Sequence, residues 1–195
     1  MDLIVLATRN EGKASELTVL LQGIAARLET LRSYPAVTLP PETGSSYREN
    51  ALAKARAVYR VLGVPSLGDD SGLEVDALAG APGLHSARYA GEGANDRANL
   101  ERVLGELAGL PPERRTARFR CVLALVRGRG DDIVVEGVCE GRILDTPRGA
   151  GGFGYDPVFI PEGHLLTFAE LPATEKNALS HRARAAAALG RALRE

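Results

Sequence analysis

"RFRCVLALVRGRGDDIVVEGVCEG", residues 118–141, sets two runs rich in apolar and β-branched residues on either side of a Gly- and Asp-rich turn. That pattern signals a hairpin. Upstream, strand and helix alternate instead. The continuous apolar run at residues 3–7 reads as a buried strand. Ala14, Leu17, Leu20 and Leu21 then recur at helical spacing, with Gly23 as the stop. Early alternation followed by a late hairpin predicts an α/β fold with a mixed sheet flanked by helices.

Between these landmarks, "LPPETGSSYRENALAKARAVYRVLG" (residues 39–63) opens with a Pro-Pro breaker and carries Ser46 and Glu49 in capping-box spacing. It predicts a helix over 47–62, closed by Gly63. "LAGAPGLHSARYAGEGAND" (78–96) has no sustained period and is read as a long functional loop. A further helix is expected from about Asn95, burying Leu100, Val103, Leu104 and Leu107. After the hairpin come the Gly-rich "RGAGGFGYDPVFIP" (148–161), the polar "LPATEKNALSHR" (171–182) and an Ala-rich terminal helix, "ARAAAALGRALRE" (183–195). No repeat or low-complexity linker interrupts the chain, so residues 1–195 are expected to form one domain.

The chain has 195 residues, 45% of them hydrophobic, enough for one large domain or two lobes sharing a core. With a formal charge of -1, no global field draws it to nucleic acid or an anionic membrane, and a polyanion would need a local cluster. Cys121 and Cys139 stand apart in strand-like runs without metal-ligand spacing, which predicts buried free thiols and a reducing compartment. The opening "MDLIVLATRN" lacks the pattern of a signal peptide, and no apolar run reaches the ~20 residues of a membrane span. The expectation is a cytoplasmic protein with no membrane or nucleic-acid partner. Lysine occurs only at positions 13, 54 and 176.

Four stretches could carry chemistry. "LATRNEGKASEL" (6–17) places Thr8, Asn10 and Lys13 between a strand and a helix N-terminus, where free N–H groups and the helix dipole attract phosphate. It is not a Walker A loop, because Ala7 and Ala14 occupy positions that motif reserves for Gly and Ser or Thr. "SLGDDSGLEV" (66–75) sets Asp69 beside Asp70 at the expected end of a strand, with no basic neighbour in sequence. Adjacent carboxylates are costly unless one is solvated or a cation intervenes. They either cap a turn or, with Glu42, hold a hard cation such as Mg²⁺. Glu74 and Asp76 are placed on or near a further strand. "GGFGYDP" (151–157) joins Phe153 and Tyr155 to Asp156, a set suited to a heterocyclic base or to a tight turn with Phe153 in the core. "TEKNALSHR" (174–182) brings Lys176, His181 and Arg182 to the start of the last helix.

Taken in order, "TRNEGK", "PETGSSYRENALAKA", "DDSGLEVDALAGAPGLHSARYAG", "GGFGYDPVF" and "FAELPATEKNALSHR" resemble the inosine triphosphate pyrophosphatase family, also called the Ham1 or non-canonical purine nucleoside triphosphatase family. The likeness covers essentially the whole chain. It implies a two-lobed α/β protomer with a long mixed, twisted sheet, a cleft between lobes and a homodimeric assembly. It also implies Mg²⁺-dependent hydrolysis of ITP, dITP and XTP to the monophosphate and pyrophosphate, cleansing the nucleotide pool. By the same resemblance, Thr8, Asn10, Lys13, Lys54 and Ser71 would bind the triphosphate. Glu42 and Asp70, with Asp69 as a further candidate, would hold the metal, and Asp70 would accept the proton of the attacking water. Phe153, Gly154, Tyr155 and Asp156 would form the base loop, while Lys176, His181 and Arg182 would read a 6-oxo purine. Arg9 departs from the smaller residues common at its position, and "EGHLLTFAEL" from a shorter Gly-Lys-Thr loop. A Maf-type pyrophosphatase acting on other bases and a non-catalytic purine-nucleotide regulator are the alternatives.

Overall fold

The computed structural model describes residues 1–128, 130 and 132–194. Among these, the main elements are β1 (Leu3–Ala7), α1 (Glu11–Leu20), β2 (Arg27–Thr30), α2 (Tyr47–Leu62), β3 (Ser66–Val75), α3 (Asp96–Glu106), β4 (Thr116–Val126), β5 (Ile133–Ile143), β6 (Phe159–Pro161), α4 (Ala173–Leu179) and α5 (His181–Ala192). One sheet runs in the order β2-β1-β3-β4-β5-β6. β1 pairs parallel with β2 and β3, and β5 pairs antiparallel with β6, so the sheet is mixed as its sequence predicts. The two runs of 118–141 form the neighbouring strands β4 and β5. Positions 129 and 131 of the turn between them, and position 195 of the expected terminal helix, lie outside the described residues.

Local chemistry sets the elements that carry the site. Asn10 caps α1 by accepting from the Lys13 N–H at 2.9 Å, which fixes the phosphate-suited turn to the end of β1. Ser46 caps α2 through the Glu49 N–H at 3.2 Å, and the Glu49 carboxylate returns to the Ser45 N–H at 2.7 Å, one residue earlier than the capping box anticipates. Gly63 ends α2 at φ +66° and donates to the Tyr59 carbonyl, a left-handed cap that glycine adopts without steric cost.

Three expectations are corrected. β3 does not end at the aspartate pair: it continues through Asp69 and Asp70 to Val75, because Leu73 and Val75 alternate into the core beyond them. "SGLEVDAL" is therefore the second half of the same strand, followed by a 3₁₀ turn at Asp76–Leu78. The stretch 78–96 is no structureless loop, since Gly83–Arg88 forms a second 3₁₀ segment whose Ser86 hydroxyl accepts from the Leu73 N–H. The terminal region is two helices, α4 and α5, with Ser180 between them.

The chain partitions into two compact units. The first comprises Met1–Asp70, Cys121–Gly137 and Arg182–Glu195. Its core joins Ile4 and Leu6 of β1, Leu17 of α1, Leu67 of β3, Leu123 of β4 and Leu189 of α5, all fully buried. The second comprises Ser71–Arg120 and Val138–His181, with a core built on Leu73, Val103, Phe119, Phe159 and Phe168. Each such aliphatic or aromatic side chain removed from water contributes about 1.5–3 kcal/mol. Cys121 and Cys139 are buried thiols not joined in a disulfide, in agreement with the sequence.

Candidate active site

Successive side chains of a strand point to opposite faces. In β3 that alternation separates the two aspartates, and each meets a different set of partners. On one side Asp69, fully buried, accepts from Lys13 Nζ at 2.7 Å and from Arg182 Nε at 2.9 Å. Arg182, at the start of α5, also bonds Glu16 of α1 through its Nη1. The Cys121 thiol lies 3.3 Å from the second oxygen of Asp69. Burial works against ionising Asp69, but Lys13 and Arg182 outweigh it and hold the carboxyl well below the usual range. Burial likewise opposes the Arg182 charge, which Asp69 and Glu16 keep in place. The Cys121 thiol is pushed well up, by burial and then by Asp69.

On the other side, Asp70 accepts from Asn50 Nδ2 at 3.0 Å and from Lys54 Nζ at 3.1 Å. Lys54 donates to Glu42 as well, at 2.7 Å. Burial raises the Asp70 carboxyl above its ordinary range, and Glu42 adds to this while Lys54 and Lys13 oppose it. For Lys54 burial favours the neutral amine, yet Asp70 and Glu42 win and its affinity for the proton is raised. In the two neighbouring networks four carboxylates, Glu16, Glu42, Asp69 and Asp70, face three cations, Lys13, Lys54 and Arg182.

The second unit holds the aromatic stretch. Asp156, buried, accepts from the Phe153 N–H at 2.9 Å and from Lys176 Nζ at 2.5 Å. The Lys176 ammonium lies 5.1 Å from the centroid of Phe153 and 5.5 Å from that of Phe168. Gly154 donates to Asp96 at 2.8 Å. Gly152 sits at φ +71°, and a Cβ there would lie 2.0 Å from Asp156 Oδ2, so glycine is required twice over. His181 stacks on Phe119 with ring centroids 4.7 Å apart and planes 13° from parallel.

Of the residues expected from sequence, Thr8, Asn10, Lys13, Glu42, Lys54, Asp69, Asp70 and Arg182 belong to the first unit. Ser71, half-buried in β3, and Phe153, Gly154, Tyr155, Asp156, Lys176 and His181 belong to the second. Three roles change. Asp69, named as a further metal candidate, has Lys13 and Arg182 as its counter-charges within the protein. Arg182, expected at a base edge, commits its Nε and Nη1 to two carboxylates and is 2% exposed. Tyr155 is core: it is buried, donates its hydroxyl to the Ser86 carbonyl at 2.8 Å, and has its ionisation pushed up by burial. Phe153 is the half-exposed ring of the pair. Sequence reading missed Glu16, Asn50 and Cys121; for Asn50 the signal was its place one helical turn before Lys54, in a helix interior where asparagine is a poor choice.

The donor set suits a hard cation. Glu42 and Asp70 both present oxygen to the same point, where the Lys54 ammonium bridges them. Among the described residues no group of three His, Cys, Asp or Glu side chains is placed to cage a metal. Mg²⁺ needs no such cage, because one or two carboxylates and substrate phosphates suffice.

The Ham1 family model matches residues 4–192. The chain is 49% identical over 189 residues to a dITP/XTP pyrophosphatase of Geobacter sulfurreducens, covering 97% of this chain and 95% of that one. It is 50% identical over 185 residues to a dITP/XTP pyrophosphatase of Geobacillus kaustophilus, covering 95% and 91%. Among solved structures, a HAM1 protein from Coxiella burnetii superposes with a TM-score of 0.87 at 41% identity, covering 100% of this chain and 99% of that one. With its sequence matched nearly end to end and its fold matched throughout, this chain belongs to the Ham1 family.

Proposed function

We propose that the protein hydrolyses non-canonical purine nucleoside triphosphates, dITP and XTP among them, to the monophosphate and pyrophosphate. The observation that carries this reading is the convergence of Glu42 and Asp70 on Lys54, next to a helix N-terminus that presents Lys13. The amides at the start of α1 and the ammonium groups of Lys13 and Lys54 bind the triphosphate and stabilise the departing pyrophosphate. Asp70, its proton affinity raised by burial, orients the attacking water and takes its proton. Glu42 and Asp70 would hold Mg²⁺, which when bound neutralises phosphate charge and polarises a phosphoryl oxygen. In the second unit the Phe153 ring offers a face for the purine, and Lys176 and His181 supply donors that suit a 6-oxo group. A 6-amino group would leave such donors unpaired, which disfavours ATP. Homodimerisation and a cytoplasmic setting complete the reading; among the described residues no helix is long and apolar enough to cross a membrane.

The test is pyrophosphate release from dITP, XTP, GTP and ATP at matched concentrations, with Mg²⁺ and with EDTA. Metal-dependent release from dITP and XTP, with ATP strongly disfavoured, is expected. Equal release from all four would remove the base-reading part, and release from none would remove the hydrolase.

A further inference from the structure

Asn50 and Lys54 stand four residues apart on α2, so both side chains rise from one face of the helix. Each makes the same pair of connections. Lys54 joins the Glu42 carboxylate to Asp70 Oδ1. Asn50 joins the backbone two residues beyond Glu42 to the other oxygen of Asp70: its Oδ1 accepts from the Gly44 N–H at 2.8 Å, and its Nδ2 donates to Asp70 Oδ2 at 3.0 Å. Asn50 is 3% exposed, and a Cβ on Gly44 would lie 2.6 Å from its Oδ1, so the loop passes the amide at a position where only glycine fits without a shift. Helix propensity does not explain an asparagine at this buried interior position, whereas its two opposed polar atoms fit an acceptor on one side and a carboxylate on the other.

We propose that Asn50 is a positioning residue of the hydrolytic centre: it orients the Asp70 carboxylate through Oδ2 and ties it to the loop that carries Glu42. Lys54 bridges the two acids and offsets one of their charges, and Asn50 orients the Asp70 carboxylate without adding charge. The proposal rests on the reading of Glu42 and Asp70 as the hydrolytic carboxylates. Outer partners of this kind change activity by about 10–100-fold when removed, while substrate affinity carried by other groups stays.

The two halves of the amide can be separated by substitution. Asn50→Ala removes both hydrogen bonds. Asn50→Asp keeps an acceptor for the Gly44 N–H and, at the alkaline end of a pH–rate profile where the added carboxyl is ionised, replaces the donor to Asp70 with a like charge. Steady-state dITP hydrolysis with Mg²⁺ is measured as a pH–rate profile for both, read at that alkaline end, beside Asp70→Asn, with a thermal melt of each. The expected result is kcat lowered by about 10–100-fold in both Asn50 variants, KM for dITP within about threefold of wild type, and Asp70→Asn inert. Should Asn50→Ala fail to fold, Asn50→Asp, which retains the loop anchor, decides. Recovery of wild-type kcat in Asn50→Asp would reduce Asn50 to a loop anchor and overturn the proposal. An inert Asp70→Asn beside fully active Asn50 variants would also overturn it while leaving the role of Asp70 intact. An active Asp70→Asn would instead remove the reading on which both depend.

Discussion

Gly152→Ala tests the aromatic loop at its tightest point. At φ +71° a side chain costs about 1–2 kcal/mol of backbone strain. The added Cβ would also lie 2.0 Å from Asp156 Oδ2, so the carboxylate must move. That oxygen holds the Phe153 N–H and Lys176 Nζ, and hydrogen bonds to charged groups contribute about 1.5–3 kcal/mol each. Both ions are buried, so water does not compensate for the loss. The combined cost is roughly 4–8 kcal/mol, which for a chain of this length lowers the apparent Tm by roughly 8–32 °C. Gly154→Ala is the internal control. Gly154 also has a positive φ, +62°, but a Cβ there meets nothing within 4 Å. Strain alone then costs about 1–2 kcal/mol, or roughly 2–8 °C. Differential scanning fluorimetry gives the shifts, and steady-state dITP hydrolysis should show the larger KM increase for Gly152→Ala, since Phe153 loses its anchor. Equal melting shifts for the two variants would refute the reasoning, because they would show that Asp156 relocates at no cost.

Arg182→Met keeps an unbranched stem of similar bulk but removes the guanidinium that Asp69 and Glu16 share. Breaking a buried pair in this way costs about 3–5 kcal/mol in urea unfolding, and a loss under about 1 kcal/mol would show that the triad is not holding α5 in place. Cys121, buried and with its thiol pushed up by burial and Asp69, should resist iodoacetamide at pH 8 in the folded protein and react only on unfolding. Rapid native labelling at Cys121 would contradict its placement. Tyr89, whose hydroxyl is pushed up to about 12 by burial and by its bond to Glu106, should stay protonated in a spectrophotometric titration to pH 11, and Glu106→Gln should lower its midpoint. An unchanged midpoint would place the cause elsewhere.

The mixed sheet and the long capped helix were legible because hydrophobic period and capping residues are local signals. Ser46, Glu49 and Gly63 delimit α2 within the sequence itself. The course of β3 was not legible, since two acids followed by Ser-Gly look like a strand end unless their partners are known. Those partners come from far along the chain, Arg182 being 113 residues from Asp69. The same distance hid the role of Arg182, which beside His181 reads as part of a polar cluster. Tyr155 and Phe153 are alike in sequence. Only packing separates them, because the Tyr155 hydroxyl finds a buried carbonyl in a 3₁₀ segment that the sequence left as loop.

The pleat of β3 gives chemically identical neighbours unequal fates. An isosteric amide at Asp69 would leave Lys13 and Arg182 without their shared charge inside the protein, and the chain would be lost to aggregation or proteolysis before its chemistry mattered. The same change at Asp70 keeps Lys54 paired with Glu42 and, under the role proposed for Asp70, gives a normal yield of inert protein. In a cell, the first would read out as abundance and the second as a nucleotide pool left uncleansed by an enzyme present in full.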